Sequence, residues 1–300
     1  KSSRGAVFSA TLGEKAFDTI NSILIIIISL LVLYPFWYCI ILSFNDGVDA
    51  LKGPLYILPR KFTLDNYAFV LRNSQIITAS INSVLRTVTG VLLQLLVTGV
   101  AAYGLSKKQI LFHKWYMIFF LITMYFSGGL IPTYLLYRNI GLVDNFLVYI
   151  LPGAWSFYNA ILIMAYYDSI PDALEEAATI DGAGKLAIFF RIILPASMPI
   201  FATVAIFTGV AQWNSWFDTV IFTSSPRLVT LQSFMMRMLN EADALKELAK
   251  HAKGNSVLPT VKPATVRVAT LVITTFPITV IYPFLQKYFV KGLMIGSVKG

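Results

Sequence analysis

Residues 20–44 decide the fold class. They read INSILIIIISLLVLYPFWYCIILSF, a run of 25 residues without a charged side chain. About 20 apolar residues in an α-helix cross the roughly 30 Å core of a bilayer, and the helix satisfies its own backbone polar groups. This run is therefore long enough to span a membrane.

Five further stretches have the same character. They are Thr87–Ser106 with an apolar lead-in at 75–85, Trp115–Tyr137, Asn145–Tyr167, about Met198–Phe217, and Val268–Gln286. The chain is 57% hydrophobic and 13% charged, whereas soluble domains are about 25% charged. The sequence therefore predicts an all-α polytopic membrane protein with six transmembrane helices and excludes an ordinary soluble enzyme.

Basic residues predict the orientation of these spans, because lysine and arginine accumulate in cytoplasmic loops. They cluster in three segments that six spans place on one side: Lys1, Arg4 and Lys15; Lys107, Lys108 and Lys114; Lys287, Lys291 and Lys299. We expect a multi-pass membrane protein with both termini in the cytoplasm.

The predicted organisation is a single transmembrane domain over residues 1–300. Its parts are a cytoplasmic arm at 1–19, a six-span core at 20–290 with a cytoplasmic loop at 168–197 and an extracytoplasmic loop at 222–263, and a cytoplasmic tail at 291–300.

The net charge of +9 indicates membrane lipid as a partner and not nucleic acid. Basic residues near membrane ends face anionic headgroups, and the chain has no Lys/Arg run of the kind that follows phosphates. The single cysteine, Cys39, lies in the first span, and His113 and His251 lie in different loops. We therefore expect neither a metal site nor catalytic residues.

One cytoplasmic loop opposes the positive charge of its side of the membrane. Its acids are Asp168, Asp172, Glu175, Glu176 and Asp181. The pattern predicts a short helix with Ser169 as N-cap and Pro171 in the first turn, ended by Gly182 and Gly184. A second segment at 185–193 then returns to the membrane.

Two adjacent alanines follow two of these acids, at Glu175, Glu176, Ala177 and Ala178. Small side chains let a partner's surface approach the backbone, and carboxylates accept hydrogen bonds from a partner's arginine or lysine. This composition favours a docking helix. The alternative is an ordinary connecting helix with a solvated acidic face.

The same loop carries a longer pattern. Glu176-Ala177-Ala178, then Asp181-Gly182, then, after nine residues, 192–195 (IILP) resemble the EAA loop of the membrane subunits of ATP-binding-cassette (ABC) importers. The resemblance implies the type I importer permease fold, with a cytoplasmic EAA coupling helix seated in a cleft of an ATPase subunit. The implied coupling residues are Glu175, Glu176, Ala177, Ala178, Asp181, Gly182, Leu194 and Pro195.

The resemblance runs from about residue 15 to the end and is weakest at 227–262. Residues 82–83, 213–214 and the tail segment 286–292 are similar to carbohydrate permeases of the MalG type, and 282–288 to their LplC-like branch for complex oligosaccharides. It implies a permease of the bacterial cytoplasmic (inner) membrane for an oligosaccharide substrate. The implied partners are a homologous second permease subunit, two ABC ATPase subunits and an extracytoplasmic solute-binding protein.

The chain has no Walker sequence G-x-x-x-x-G-K-[ST], which cradles nucleotide phosphates. We therefore expect no enzyme activity and no cofactor in this chain, with ATP and Mg²⁺ held by the partner subunits. Two alternatives remain: an ATP-independent secondary transporter, which would need ionisable acids inside the spans, and a membrane scaffold, which leaves the docking loop unexplained.

Sugars bind to aromatic faces and to amide or carboxylate groups, so polar and aromatic residues at membrane depth are candidates for the substrate pathway. They are Trp213, Asn214, Trp216 and Asp218 in span five, with Tyr125 and Tyr158 as weaker candidates. The alternatives are an interfacial belt for Trp216 and Asp218 and structural packing for the others. For Arg86 we favour the outer membrane edge or a protein-shielded site with a carboxylate or carbonyl partner over a role in transport.

Overall fold

A computed structural model describes residues 12–240 and 263–297. Within these ranges the chain is helical, and an isolated bridge between Asn45 and Phe62 is the one β-type pairing. The longer helices are α1 (Leu12–Ser43), α3 (Asp65–Arg72), α4 (Ser74–Ser106), α5 (His113–Tyr125), α6 (Leu130–Asn139), α7 (Phe157–Tyr167), α8 (Ala173–Ile180), α11 (Met198–Asn214), α13 (231–240) and α14 (Pro263–Ser297). The shorter ones are α2 (Gly47–Ala50), α9 (Lys185–Ile188), α10 (Leu194–Ala196) and α12 (Phe217–Phe222).

Two described helices, α1 and α4, are each long and apolar enough to cross a membrane. Two bent pairs raise this number to four if each pair is one span: α5 with α6, and Lys185–Ala196 with α11. Helix α7 and the stretch Ala264–Val280 are shorter apolar helices. The all-helical class is confirmed for the described residues, and the count of six spans stays a prediction.

The third predicted span is not one straight helix. Helices α5 and α6 meet at 109°, and the residues between them include Gly128 and Gly129. Gly129 adopts a φ of +84°, a conformation that glycine reaches without steric cost. The fourth predicted span is also divided, because a 3₁₀ turn at Phe146–Tyr149 precedes α7 and Pro152 lies between them.

The chain divides into two compact units. The described residues of the first lie within Lys1–Val70 and Gly254–Val272. In this unit the end of α1 is fixed by Asn66, whose side-chain amide donates to the carbonyls of Ser43 and Asn45, both at 2.9 Å. The Thr265 hydroxyl donates to the Asn66 side-chain oxygen Oδ1 at 2.9 Å and joins α14 to this turn.

The described residues of the second unit lie within Leu71–Lys253 and Ile273–Gly300, and helices α4, α7 and α11 form its centre. Glycines on α4 permit this close packing. A Cβ at Gly99 would lie 2.6 Å from the Phe201 ring of α11, and one at Gly90 would lie 2.8 Å from the Gln212 amide. Real Cβ atoms do not approach this closely, so both positions require glycine unless the neighbouring side chains move.

The assignment of residues 1–300 to a single transmembrane domain stays a prediction, and its segments 1–11, 241–262 and 298–300 lie outside the described residues.

Candidate functional site

A cavity of about 690 Å³ lies in the second unit beside α4, α7, α11 and α12. Its polar lining includes Arg86, Gln94, Ser156, Asn159, Gln212 and Asp218. Its aromatic lining comprises Tyr137, Tyr149, Tyr158, Phe207 and Phe222. The volume falls in the range of small-molecule sites, and the mixture of amides, hydroxyls and rings suits a hydroxyl-rich ligand.

Arg86 is the largest fully buried side chain of the described residues, with 2% of its surface exposed. Its guanidinium donates to both oxygens of Asp218, at 3.1 and 2.5 Å, and twice to the Gln212 side-chain oxygen, at 3.1 and 3.0 Å. A fifth bond of 3.3 Å reaches the Ser215 carbonyl, and the Tyr149 ring lies 4.5 Å from the guanidinium carbon. All five donors of an arginine are thereby used.

Helix α4 begins at Ser74 and continues through Arg86, so the apolar lead-in and the second predicted span form one helix. The arginine occupies a protein-shielded site, and its carboxylate partner is Asp218. Isolated charges are costly in an apolar interior, and pairing with further hydrogen bonds offsets that cost.

The fifth predicted span breaks inside the candidate pathway. Helix α11 ends at Asn214, Ser215 is extended with a ψ of 123°, and α12 begins at Phe217. Asn214 and Asp218, which the sequence places in one span, therefore belong to different helices. Asp218 turns toward Arg86 and the cavity, whereas the Asn214 side chain accepts from Gln232 at 3.1 Å.

The remaining candidates for the substrate pathway separate in space. Tyr158 lines the cavity with Asp218. Trp213 is buried, and its indole N–H donates to the Thr274 carbonyl at 3.1 Å, which is a packing role. Trp216 lines a different pocket of about 310 Å³, and Tyr125 is 75% exposed.

Sequence reasoning missed Gln94, Asn159 and Tyr137 as lining residues. Gln94 accepts a hydrogen bond from the Thr208 hydroxyl. The Asn159 side-chain amide makes no hydrogen bond within the described ranges, although the residue is 93% buried. A carboxamide in the middle of an apolar helix is the signal that could have identified both, because such groups need partners at membrane depth.

The far end of α12 is fixed by Asp144. One carboxylate oxygen of Asp144 accepts from the amides of Ser224 and Ser225 at 2.7 and 2.9 Å, and the other accepts from the Ser224 hydroxyl at 2.5 Å. The Ser224 hydroxyl and these amides lower the pKa of Asp144 below its ordinary value, since hydrogen bonds to a carboxylate stabilise its charged form.

The acidic loop forms the expected helix, but its start differs from the prediction. Helix α8 begins at Ala173, after Asp172, so Ser169 is not its N-cap. The Ser169 hydroxyl instead donates to the Tyr166 carbonyl at the end of α7 at 2.6 Å, and Pro171 lies before the helix. The predicted stop is correct, because Gly182 adopts a φ of +81° immediately after it and the Ala183 amide donates to the Ala178 carbonyl at 2.9 Å.

Helix α8 has two different faces. Its outer face consists of Leu174, Glu176, Ala177 and Ile180, all exposed, and Ile180 is 86% exposed. Its inner face consists of Glu175 and Ala178, which are one helical turn apart. Ala178 packs in the apolar core with Tyr103 and Phe189.

Glu175 on the inner face forms an ion pair with Lys107 and accepts a 3.1 Å hydrogen bond from the Tyr103 hydroxyl. The Glu176 carboxylate, in contrast, has no hydrogen-bond or ion-pair partner among the described residues. The two adjacent glutamates therefore lie on different faces of α8, a distinction that the sequence pattern did not predict.

The rest of the loop returns the chain to the core. A π-helical turn at Phe189–Ile193 follows α9, and Ile193 is buried in the same core as Ala178. Leu194 packs against this core and Pro195 is exposed. Asp181 is exposed at the end of α8.

Within the described ranges no group of three or more His, Cys, Asp or Glu residues could hold a metal ion. Cys39 is half-buried in α1. His251 lies outside the described residues.

A protein-family model described as "Binding-protein-dependent transport system inner membrane component" matches residues 6–295. Among curated proteins, the chain is similar to protein LplC of Bacillus subtilis (strain 168), at 35% identity over 291 residues and 97% of each chain. It is also similar to the polygalacturonan/rhamnogalacturonan transport system permease protein YtcP of the same organism, at 31% identity over 287 residues. That match covers 96% of this chain and 99% of YtcP.

Among solved structures, the chain is similar to a chain of a bacterial ABC transporter involved in the import of the acidic polysaccharide alginate. The TM-score is 0.84 at 30% identity, with 94% of this chain and 99% of that chain covered. A chain of a bacterial alginate ABC transporter in complex with an alginate pentasaccharide-bound periplasmic protein matches with a TM-score of 0.56 at 13% identity, covering 90% of this chain and 93% of that chain. This second likeness supports the fold alone.

Proposed function

The chain belongs to the family of inner membrane components of binding-protein-dependent transport systems, and we propose that it is the permease subunit of an ABC importer for an oligosaccharide. Separate ATPase subunits dock on α8 and supply the energy, so this subunit is not itself an enzyme. The observation that carries the proposal is the exposed outer face of α8, with Glu176 and Ala177 at its centre, in a chain that matches the family over almost its whole length.

Three features support a carbohydrate cargo. The similar permease of the polygalacturonan/rhamnogalacturonan system and the similar alginate transporter both move polysaccharides. The cavity presents the rings of Tyr137 and Tyr158, which suit the C–H faces of a sugar. It also presents the amides of Gln94 and Asn159, which suit hydroxyl groups. We propose that the substrate pathway includes Tyr158 and Asp218, together with Gln94, Asn159 and Tyr137.

The outer face of α8 supports ATPase docking. Leu174 and Ile180 supply exposed apolar surface, Ala177 leaves the backbone accessible, and Glu176 offers a carboxylate that has no partner among the described residues. Asp181 and Gly182 set the turn that ends the helix. Leu194 and Pro195 act by returning the chain to the membrane and not by contact with the ATPase.

The further partners proposed are a second, homologous permease subunit and an extracytoplasmic solute-binding protein that meets the loop 222–263. Both termini are proposed to lie in the cytoplasm. Residues 291–300 are proposed to reach toward the ATPase interface, and residues 298–300 of this tail lie outside the described range.

A secondary transporter is the less favoured candidate. Such a protein needs a carboxylate that is free to bind a proton or sodium ion. The one acid in the cavity lining is Asp218, and both of its oxygens accept hydrogen bonds from Arg86. A membrane scaffold explains neither the cavity nor the exposed face of α8.

The test is charge reversal on α8. Glu176→Arg, or Gly182→Arg at the turn, is expected to abolish co-purification with the ATPase subunits and sugar uptake by cells that express the complex. Asp168→Arg is the matched control, because Asp168 is an exposed acid of the same loop outside α8. Normal uptake and ATPase association by both α8 variants would contradict the proposal.

A further inference from the structure

We propose that Tyr103, Lys107 and Glu175 form an inner brace that positions α8 on the end of α4, and that this brace converts ATP hydrolysis into transport. The proposal rests on the function proposed above. It assigns Glu175 a positioning role inside its own chain, distinct from contact with an ATPase.

The geometry of the brace uses both oxygens of one carboxylate. One Glu175 oxygen pairs with the Lys107 ammonium, and the other accepts from the Tyr103 hydroxyl at 3.1 Å. The Lys107 nitrogen also lies 4.9 Å from the centre of the Tyr103 ring. Because Tyr103 and Lys107 are four residues apart at the end of one helix, they present a joint site for the carboxylate.

Packing fixes the Tyr103 side of the brace. The Tyr103 ring lies edge-on to Tyr167 of α7 at 6.1 Å and against Phe189 at 5.3 Å. The Tyr167 hydroxyl donates to the Gly99 carbonyl of α4 at 3.3 Å. The end of α4 is therefore fixed to the segments that enter and leave the loop, and the carboxylate of Glu175 meets a site that is already in place.

The same helix α4 reaches the cavity. Arg86, which forms one wall of the cavity, lies 21 residues before Lys107, a distance of about 30 Å along a helix. A displacement of α8 that is transmitted through Glu175 therefore acts on a rigid helix that also forms one wall of the substrate pathway. Coupling of this kind requires a physical connection whose arrangement both sites bias.

Glu175 and Glu176 differ in exposure and in partners, which distinguishes a bracing residue from a docking residue. Glu176 is exposed and lies on the outer face of α8, whereas the Glu175 side chain is 17% exposed and engaged. An ATPase subunit seated on the outer face would push on α8, and Glu175 would transmit that push to α4.

The experiment uses the complete complex, co-purified with its ATPase subunits and binding protein and reconstituted in liposomes. The probe is whichever of maltotriose, xylotriose and trigalacturonate the wild-type complex takes up fastest. Sugar transported and ATP hydrolysed are measured on the same preparation. Lys107→Met and Glu175→Gln are expected to keep complex assembly and ATP hydrolysis, while the sugar transported per ATP falls about tenfold, within the range of allosteric couplings.

Three further variants sharpen the result. The swap Lys107→Glu with Glu175→Lys is expected to restore most of the ratio, because the attraction is re-formed with exchanged ends. Tyr103→Phe removes one of the two donors and is expected to have a smaller effect than either single charge variant. Lys108→Met is the matched control, since Lys108 is exposed and has no side-chain partner among the described residues, and its ratio should match the wild type.

The outcomes separate the two proposals. Unchanged sugar per ATP in the single variants, or a swap no better than they are, overturns the brace and leaves the proposed function intact. Loss of ATPase association in Glu175→Gln makes Glu175 a docking residue, and loss of the folded permease makes the brace a stability element; both overturn the proposal. A wild-type complex that takes up none of the three trisaccharides in an ATP-dependent way argues against the proposed function itself.

Discussion

Two ion pairs lie along α4, and they differ in burial. Within the helix, Arg86 is 2% exposed, its partner Asp218 is 22% exposed, and every guanidinium donor is used. Just beyond the last residue of the helix, Lys107 is 38% exposed and its partner Glu175 is 17% exposed. The first pair lies in the protein interior beside a cavity, and the second lies where solvent reaches the lysine.

The two ion pairs therefore serve different purposes. Removal of one partner from a buried pair leaves an uncompensated charge in an apolar site, which is costly. A pair that water reaches is worth about 1 kcal/mol or less, so Lys107 and Glu175 contribute little to stability. Their contribution is the fixed position of α8. The following variants test this contrast, in order of decreasing expected effect.

The largest effect is expected for Arg86→Leu. This variant leaves the Asp218 carboxylate without its cation and the Gln212 side-chain oxygen without its guanidinium donors, and the free energy of unfolding should fall by about 3–5 kcal/mol. Chemical denaturation of the purified permease in detergent measures it. The double variant Arg86→Leu/Asp218→Leu should recover part of the loss, and an Arg86→Leu protein as stable as wild type would remove the contrast between the two ion pairs of α4.

A smaller loss is expected for Ala178→Leu on the inner face of α8. Ala178 is 9% exposed in the apolar core, and overpacking should cost up to about 3 kcal/mol. Ala177→Leu is the matched control, because Ala177 is exposed on the outer face and should leave stability unchanged while it weakens ATPase association. Equal stability of the two variants, measured by thermal unfolding, would contradict the assignment of the faces.

Gly99→Ala tests the part of α4 between the two pairs. The added Cβ would lie 2.6 Å from the Phe201 ring, so either α11 or the ring must shift, at a cost of about 1 kcal/mol or more. Gly104→Ala, where a Cβ meets nothing within 4 Å, should be neutral or slightly stabilising, because alanine favours a helix over glycine. A denaturation midpoint that is lower for Gly104→Ala than for Gly99→Ala would contradict this packing.

The smallest effect concerns pH and Asp144. Its pKa is lowered in the folded protein by the Ser224 hydroxyl and the Ser224 and Ser225 amides. The stabilisation is therefore present above the ordinary aspartate pKa and is lost as the pH falls through the lowered value. The thermal midpoint of the wild type should exceed that of Asp144→Asn at pH 7, and the difference should shrink as the pH falls below about 4. A constant difference across that range would show that the carboxylate charge plays no part.

Long runs without charged residues predict the long helices, because local composition alone identifies them. The sequence identifies α1 and α4 because each contains a long, mainly apolar run without charged residues, at 20–44 and at 87–106. It does not locate the interruption at Gly128–Gly129 or the break at Ser215, because a short helix and a long one have the same local composition. Tertiary contacts decide where each helix ends.

The site is predictable to the extent that its chemistry is local. Glu176, Ala177 and Gly182 follow a pattern along one loop, and α8 forms where that pattern predicts it. The partner of Arg86 lies 132 residues away at Asp218, and the partner of Glu175 lies 68 residues away at Lys107. No local signal separates Glu175 from Glu176, so the inner face of α8 becomes visible only in the folded chain.

The most direct test of the central claim is sugar uptake by proteoliposomes that contain the permease complex. Uptake is expected only when the solute-binding protein is present outside and ATP is present inside, and its rate should not depend on a proton or sodium gradient. Uptake that proceeds without ATP and follows an imposed ion gradient would contradict it and identify a secondary transporter.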